Sequence, residues 1–378
     1  MHTVSNAFTG RYPTYSAIWF VCATGAAIAI ASALVVMGSV YGGHAMLQDY
    51  PVDWTVLGLV RVGGTALAAG LLFSALNPSR ARARPVEFTG REGRFILLLT
   101  MLSVLTLVAS AAAVIWFPQP LFDAVDEGKP IAVATELALA AALVWLAVTA
   151  WRARIFGKLA FLALRPSLIL AAMAGVVFLI LMEEMSWGQH LFGWGAGELF
   201  EANIQHETNL HNFATNKFEA MYYTVAVAAF VVLPHVWPRS VGRMLGSLEF
   251  LVPPRAFALA ALPVAGLIYQ EWNVVPYQIW FFLGLLIALS ARGALKRQDD
   301  RQARLVSVLV LALVGAQAVF LVKGPGLSHG YEVSEIRELV IAVLVASYAF
   351  MLHRRVADAA RAVVAERTAG SPGPDRGR

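Results

Sequence analysis

The side chains best equipped for acid–base or metal chemistry crowd into one stretch, Leu181 to Phe213, which contains LMEEMSWGQHLFGWG and then NIQHETNLHNF. Glu183, Glu184 and Glu207 offer carboxylates. His190, His206 and His211 offer imidazoles that change charge near neutral pH, and Gln189, Asn209 and Asn212 offer amide donors. On a helix continuing through His190, the residues Glu183, Trp187 and His190 share one face, with Glu184 about 100° round from Glu183. Glu207 and His211 are four apart and share a helical face, as a ligand pair or a carboxylate-oriented histidine needs. His206 and His211 are five apart, about 140° round a helix, so the H-E-x-x-H zinc arrangement is absent and a standard zincin is excluded.

Two chemistries fit this set. Glu184 or Glu183, His190, Glu207 and His211 could hold a divalent metal such as zinc through mixed nitrogen and oxygen ligands. Without a metal, Glu184 or Glu207 would act as base and His211 as proton shuttle, with Gln189, Asn209 and Asn212 donating to a developing oxyanion. The same residues also suit a polar loop anchored at a membrane interface by its aromatic side chains.

The elements that must position these groups are membrane helices. Of the 378 residues 58% are hydrophobic and 14% charged, against roughly 45–50% and 25% in an ordinary soluble domain. Hydropathy marks ten apolar stretches: Ala17 to Val40, Trp54 to Leu76, Phe95 to Phe117, Ile131 to Trp151, Ser167 to Trp187, Phe218 to Trp237, Ala256 to Trp272, Pro276 to Ala291, Leu305 to Val322 and Glu335 to Leu352. Only helices suit them, because an open strand edge in lipid leaves backbone groups unpaired. The seventh and eighth are short and meet at Val274 to Pro276, which also permits a single broken hairpin. Residues 1–353 read as one polytopic domain, and 354–378 as a basic tail, a frayed helix with a disordered end. Gly188 to Lys217 forms the longest outer connection, and its length marks it as functional or disordered. The single cysteine, Cys22, excludes an intrachain disulfide framework.

Placing charges on this plan gives an orientation. Of 29 Lys and Arg residues, 24 fall at the N-terminus, in alternate connections and in the tail, so both termini are expected in the cytoplasm. Sixteen of the 24 acidic residues and five of the eight histidines fall at the opposite, outer end. Arg61 and Glu136 lie inside their spans at matching depth, and burying either alone is costly, so an ion pair or a water-filled pocket reaching both is expected. Glu271, Glu335 and Glu338 are candidate lining of the same outer cavity. No phosphate-binding glycine loop or nucleic-acid motif accompanies the basic segments. The expected partners are membrane lipids and a lipid or lipid-linked substrate.

The order E-E-M-S-W-G-Q from Glu183 to Gln189, followed by E-T-N-L-H-N from Glu207 to Asn212, resembles a signature of uncharacterised bacterial multi-pass membrane proteins. The resemblance implies weight for Glu183, Glu184, Ser186, Trp187, Gln189, Glu207, Asn209, His211 and Asn212. His190 stands where that signature has an arginine. No activity comes with it. The sequence therefore leads to an outward-facing enzyme, a hydrolase or transferase working at the outer leaflet of a bacterial inner membrane. A secondary transporter with a five-plus-five inverted repeat is the alternative, and a noncatalytic scaffold or assembly factor the third reading.

Overall fold

A computed structural model describes residues 14–43, 48, 50–76, 86–126, 128–157, 165–195, 197, 200, 207–210, 213–236, 248–327 and 331–369. Among these there are helices and turns and no strand. Nine of the helices are long and apolar enough to cross a membrane. The helices are α1 (Thr14–Gly42), α2 (Val56–Leu76), α3 (Gly90–Trp116), the short α4 (Pro118–Val125), α5 (Pro130–Arg152), α6 (Pro166–Glu184) and the single turn α7 (Gln189–Phe192). Next comes α8 (Thr215–Val227), which continues through a wider π-helical turn at Ala228–Val232 into Leu233–Val236. Short pieces α9 (Arg255–Ala260) and α10 (Leu262–Ala265) precede α11 (Val275–Leu295), α12 (Asp300–Lys323) and the long α13 (Glu332–Ala369).

Local chemistry sets these boundaries. Proline occupies the first turn of α4, α5, α6 and α11, where its missing N–H costs nothing and its fixed φ suits a helix start. Asp299 caps α12, its carboxylate accepting from the N–H groups of Arg301 and Gln302. The spans are apolar on their outer faces as well as inside. Leu67, Leu105, Leu137, Leu168 and Leu311 are each more than half exposed, an outward apolar surface that water would not tolerate at this scale. The architecture is that of an all-helical, multi-pass membrane protein.

Packing groups the spans. Helix α5 lies along α13 and α6, α2 along α1 and α11, and α12 along α3 and α11. A Cβ on Gly64 would come within 2.9 Å of Leu34, so the absence of a side chain there lets α2 approach α1 closely. A Cβ on its neighbour Gly63 would meet nothing within 4 Å.

The seventh apolar stretch corrects the ten-helix expectation. Residues 255–273 form α9, α10, an extended link and the 3-10 turn Gln270–Asn273 in place of a continuous helix. Pro263 cannot donate the hydrogen bond that would join α9 to α10. Leu267 takes φ +54°, and Gly266 runs so close to Leu313 that an added Cβ would stand 2.4 Å from it. One end of the segment reaches α8, where Arg255 donates to the carbonyls of Pro234 and His235. The other reaches α2, where Asn273 accepts from Arg61. The chain thus passes between the two ends of the bundle here on broken backbone.

Irregular backbone at membrane depth needs burial and internal partners. Both are present. The apolar side chains from Ala256 to Ile268 are 0–2% exposed. The Gln317 amide on α12 clasps Ile268, accepting from its N–H and donating to its carbonyl. Ser103 of α3 donates to the Ala260 carbonyl.

Candidate functional site

The two halves of the signature meet, and they do so through one another's polar groups. Helix α6 ends at Glu184, and Ser186, Trp187 and Gly188 follow with φ of 45°, 55° and 89°. Three successive left-handed residues, two of them not glycine, are a strained turn costing about 1–3 kcal/mol for each non-glycine residue. Hydrogen bonds hold it in place. The Ser186 hydroxyl donates to Glu207 Oε2 at 2.7 Å, and Asn209 Nδ2 donates to the same oxygen at 2.6 Å and to Ser186 Oγ at 3.1 Å. Glu183 accepts from the Trp187 indole at 2.8 Å and from the Leu210 N–H at 2.6 Å. Gln189 Oε1 accepts from the Thr208 N–H at 2.6 Å.

This latch revises the expected roles. Glu183, Gln189, Glu207 and Asn209 fasten residues 207–210 to the end of α6. The helix does not run on through His190, which falls in α7 after the kink, and Glu207 lies in non-helical chain. His211 and Asn212 lie outside the described residues. Among the described residues no group of three or more His, Cys, Asp or Glu is placed to hold a metal ion. Glu184 and Glu207, two of the four expected zinc ligands, face different neighbours.

Glu184 turns instead toward carboxylates on other helices. It lies within electrostatic range of Glu136 on α5, Glu219 on α8 and its own neighbour Glu183, and it acts on Glu338 of α13. Glu136 and Glu338 are each the seventh residue of their helices, Glu219 the fifth of α8 and Glu184 the last of α6. All four therefore sit within about two turns, some 10 Å, of the same end of the bundle. Each is half-buried and keeps some accessible surface.

Beside this group is a fully buried ion pair. Arg337 on α13 is 0% exposed and bonds through Nη2 to Glu271, 3% exposed, in the turn that ends the broken segment. Its guanidinium lies 3.6 Å from the ring centre of Tyr223 on α8 and 5.2 Å from that of Tyr277 on α11. The Tyr223 hydroxyl donates to Glu338. One tyrosine thus touches both the ion pair and the carboxylate group. Nε and Nη1 of Arg337 are buried with no hydrogen-bond partner.

The expected Arg61–Glu136 pair is corrected. Arg61 Nη2 donates to Asn273 Oδ1 at 2.7 Å and stands 3.5 Å from Asp53, while Nη1 donates to the Tyr50 hydroxyl. Burial pushes the Tyr50 hydroxyl above its ordinary value, opposed by the Arg61 charge. Asn273 Nδ2 also donates to the carbonyls of Tyr50 and Pro51, so this node ties the α1–α2 loop to the broken segment. Matching depth fixed the level of the two residues but not their neighbours: α2 packs on α1 and α11, whereas α5 packs on α13 and α6.

No family model, curated protein or solved structure matches the chain. Of the candidate cavity residues, Glu271 and Glu338 border the buried site, and Glu335 lies in the first turn of α13. Glu219, Tyr223 and Arg337 are the members that reasoning from the sequence did not single out. The i, i+4 spacing of Glu219 and Tyr223, which places both on one face of α8, was the available signal.

Proposed function

We propose that this protein is a proton-coupled secondary transporter, with the carboxylates Glu136, Glu184, Glu219 and Glu338 as its proton- or cation-binding group. The observation that carries this reading is their convergence from four different helices beside a broken membrane segment. Ionised carboxylates gathered at one end of a bundle repel one another, and bound protons or other cations relieve that repulsion. Such a group also repels the phosphates of a lipid-linked donor, which weighs against the enzyme expected from the sequence. Irregular backbone beside an ionisable cluster is the arrangement that transporters use to bind and release ions. The basic end, with both termini, is placed in the cytoplasm and the carboxylates toward the outer face of a bacterial inner membrane.

The test is solute-evoked proton flux in proteoliposomes, read with a pH-sensitive dye in the lumen so that electroneutral and electrogenic coupling both register, using carboxylates, amines, amino acids and sugars. A flux that disappears in Glu184→Gln/Glu338→Gln supports the reading. Absence of proton flux with every solute class contradicts it.

A lipid hydrolase or transferase remains the second reading, favoured by one observation. Ser186 sits at φ 45° in a strained turn with its hydroxyl on Glu207, and strained backbone gathers at catalytic sites. Conversion of a lipid by the wild type and not by Ser186→Ala would favour this reading.

A further inference from the structure

Three successive backbone carbonyls at the basic end of the bundle are held by one helix. Arg355 of α13 donates through Nη1 to the carbonyls of Phe250 and Val252, each at 3.2 Å, and the Tyr348 hydroxyl donates to the carbonyl of Leu251 between them. The same guanidinium grips Glu92 in the first turn of α3, at 2.5 Å from Nη2 and 3.4 Å from Nε. Residues 250–252 lead into the broken segment, so one arginine ties its start to two long helices. The far end of that segment is tied to α13 as well, through Arg337 and Glu271. Residues 337 and 355 are eighteen apart, five full turns, so both arginines and Tyr348 lie along one face of α13. At 1.5 Å per residue the two clasps are about 27 Å apart in level, close to the roughly 30 Å of a hydrocarbon core.

We infer that the Arg355–Glu92 clasp, with Tyr348, is the cytoplasmic gate of the transporter, a reading that rests on the proposed transport activity and says where its path opens inward. Alternating access needs one end open at a time, and the two clasps are unequal. Arg337 and Glu271 are 0% and 3% exposed, whereas Arg355 and Glu92 are 25% and 40% exposed. Water can take over the bonds of the second pair, so the inner clasp releases while the outer one stays shut. The fold also supplies the pivots. Pro263 interrupts the segment between α9 and α10, and Ser103 of α3 pins the Ala260 carbonyl beside that break. Arg255 ties the inner end to Pro234 and His235 of α8, just past the π-helical turn at Ala228–Val232, where α8 can bend. The moving part is therefore α9 with the last turn of α8, swinging away from α3 and α13.

The experiment uses the full-length protein carrying Cys22→Ser, in proteoliposomes of known orientation, with a membrane-impermeant thiol reagent applied to one face. Ala258→Cys reports on the inner half of the segment and Val274→Cys on its outer end, both buried positions. Adding Glu92→Gln/Arg355→Gln is expected to speed cytoplasmic labelling of Ala258→Cys at least about tenfold, while labelling of Val274→Cys from the outer face does not rise. Tyr348→Phe keeps both charges and loses only the bond to Leu251; it should speed Ala258→Cys labelling about threefold, and it carries the test if the double variant does not fold. Unchanged labelling of Ala258→Cys in either variant would overturn the gate. So would equal acceleration at both positions, the mark of a clasp that only stabilises the fold. Labelling needs no solute: a protein that gives proton flux but fails it loses the gate alone, and one that gives no flux loses the transport reading whatever the labelling.

Discussion

The buried Arg337–Glu271 pair makes an asymmetric prediction. Both side chains are almost wholly removed from solvent, and breaking such a pair from one side costs about 3–5 kcal/mol because it strands a charge. The two sides are not equivalent. Glu271→Gln leaves a guanidinium that cannot discharge, so the full cost of about 3–5 kcal/mol applies. Arg337→Gln leaves a carboxylate that can take up a proton, so its cost shrinks as pH falls. Replacing both removes two desolvated charges together and should lie within about 2 kcal/mol of the wild type, giving a coupling energy of about 3 kcal/mol or more. Equilibrium unfolding in mixed micelles at pH 5.5 and 7.5, on the wild type, both single variants and the double variant, closes the cycle. A coupling below about 0.5 kcal/mol, the error of independent sites, would show that the two charges do not stabilise each other. Equal costs for the two single variants at pH 5.5 would contradict the asymmetry.

Other consequences are as specific. Gln317→Leu removes both bonds to Ile268 and leaves a buried N–H and carbonyl unpaired; a loss of about 2–5 kcal/mol is expected by the same unfolding assay. Gly266→Ala meets Leu313 and should be destabilising, with recovery on adding Leu313→Ala, measured as thermal stability in detergent. Glu207→Ala releases Ser186 and Asn209 together and should cost about 2–3 kcal/mol while speeding protease cleavage between α7 and α8. Tyr50 has its hydroxyl raised above 10 by burial, so its protonated form is favoured by folding. That contribution is present below pH 10 and lost as pH climbs through the folded value, and Tyr50→Phe should flatten the alkaline fall in stability.

The spans were largely legible because lipid demands long apolar helices. Trp54 to Leu76 corresponds to Val56–Leu76, and Ile131 to Trp151 to Pro130–Arg152. Hydropathy failed at Ala256 to Trp272 because a broken segment buried on every side is as apolar as a lipid-facing helix. Only Pro263 and Gly266 hint at the difference. The signature at Glu183 to Gln189 and Glu207 to Asn209 did mark residues that act together, but as a latch. Sequence order cannot show whether paired polar groups face a ligand or each other. The carboxylate group was harder to see, since Glu136, Glu184, Glu219 and Glu338 are far apart in the chain and only helix packing joins them.

Proton coupling of solute movement through these carboxylates is separated from transport itself by two fluxes in one proteoliposome preparation, for a solute that evokes proton flux: accumulation driven by an imposed pH gradient, and exchange at equal pH on both sides. The prediction is that Glu184→Gln/Glu338→Gln keeps exchange and loses gradient-driven accumulation. Accumulation at the wild-type level in that variant would contradict it.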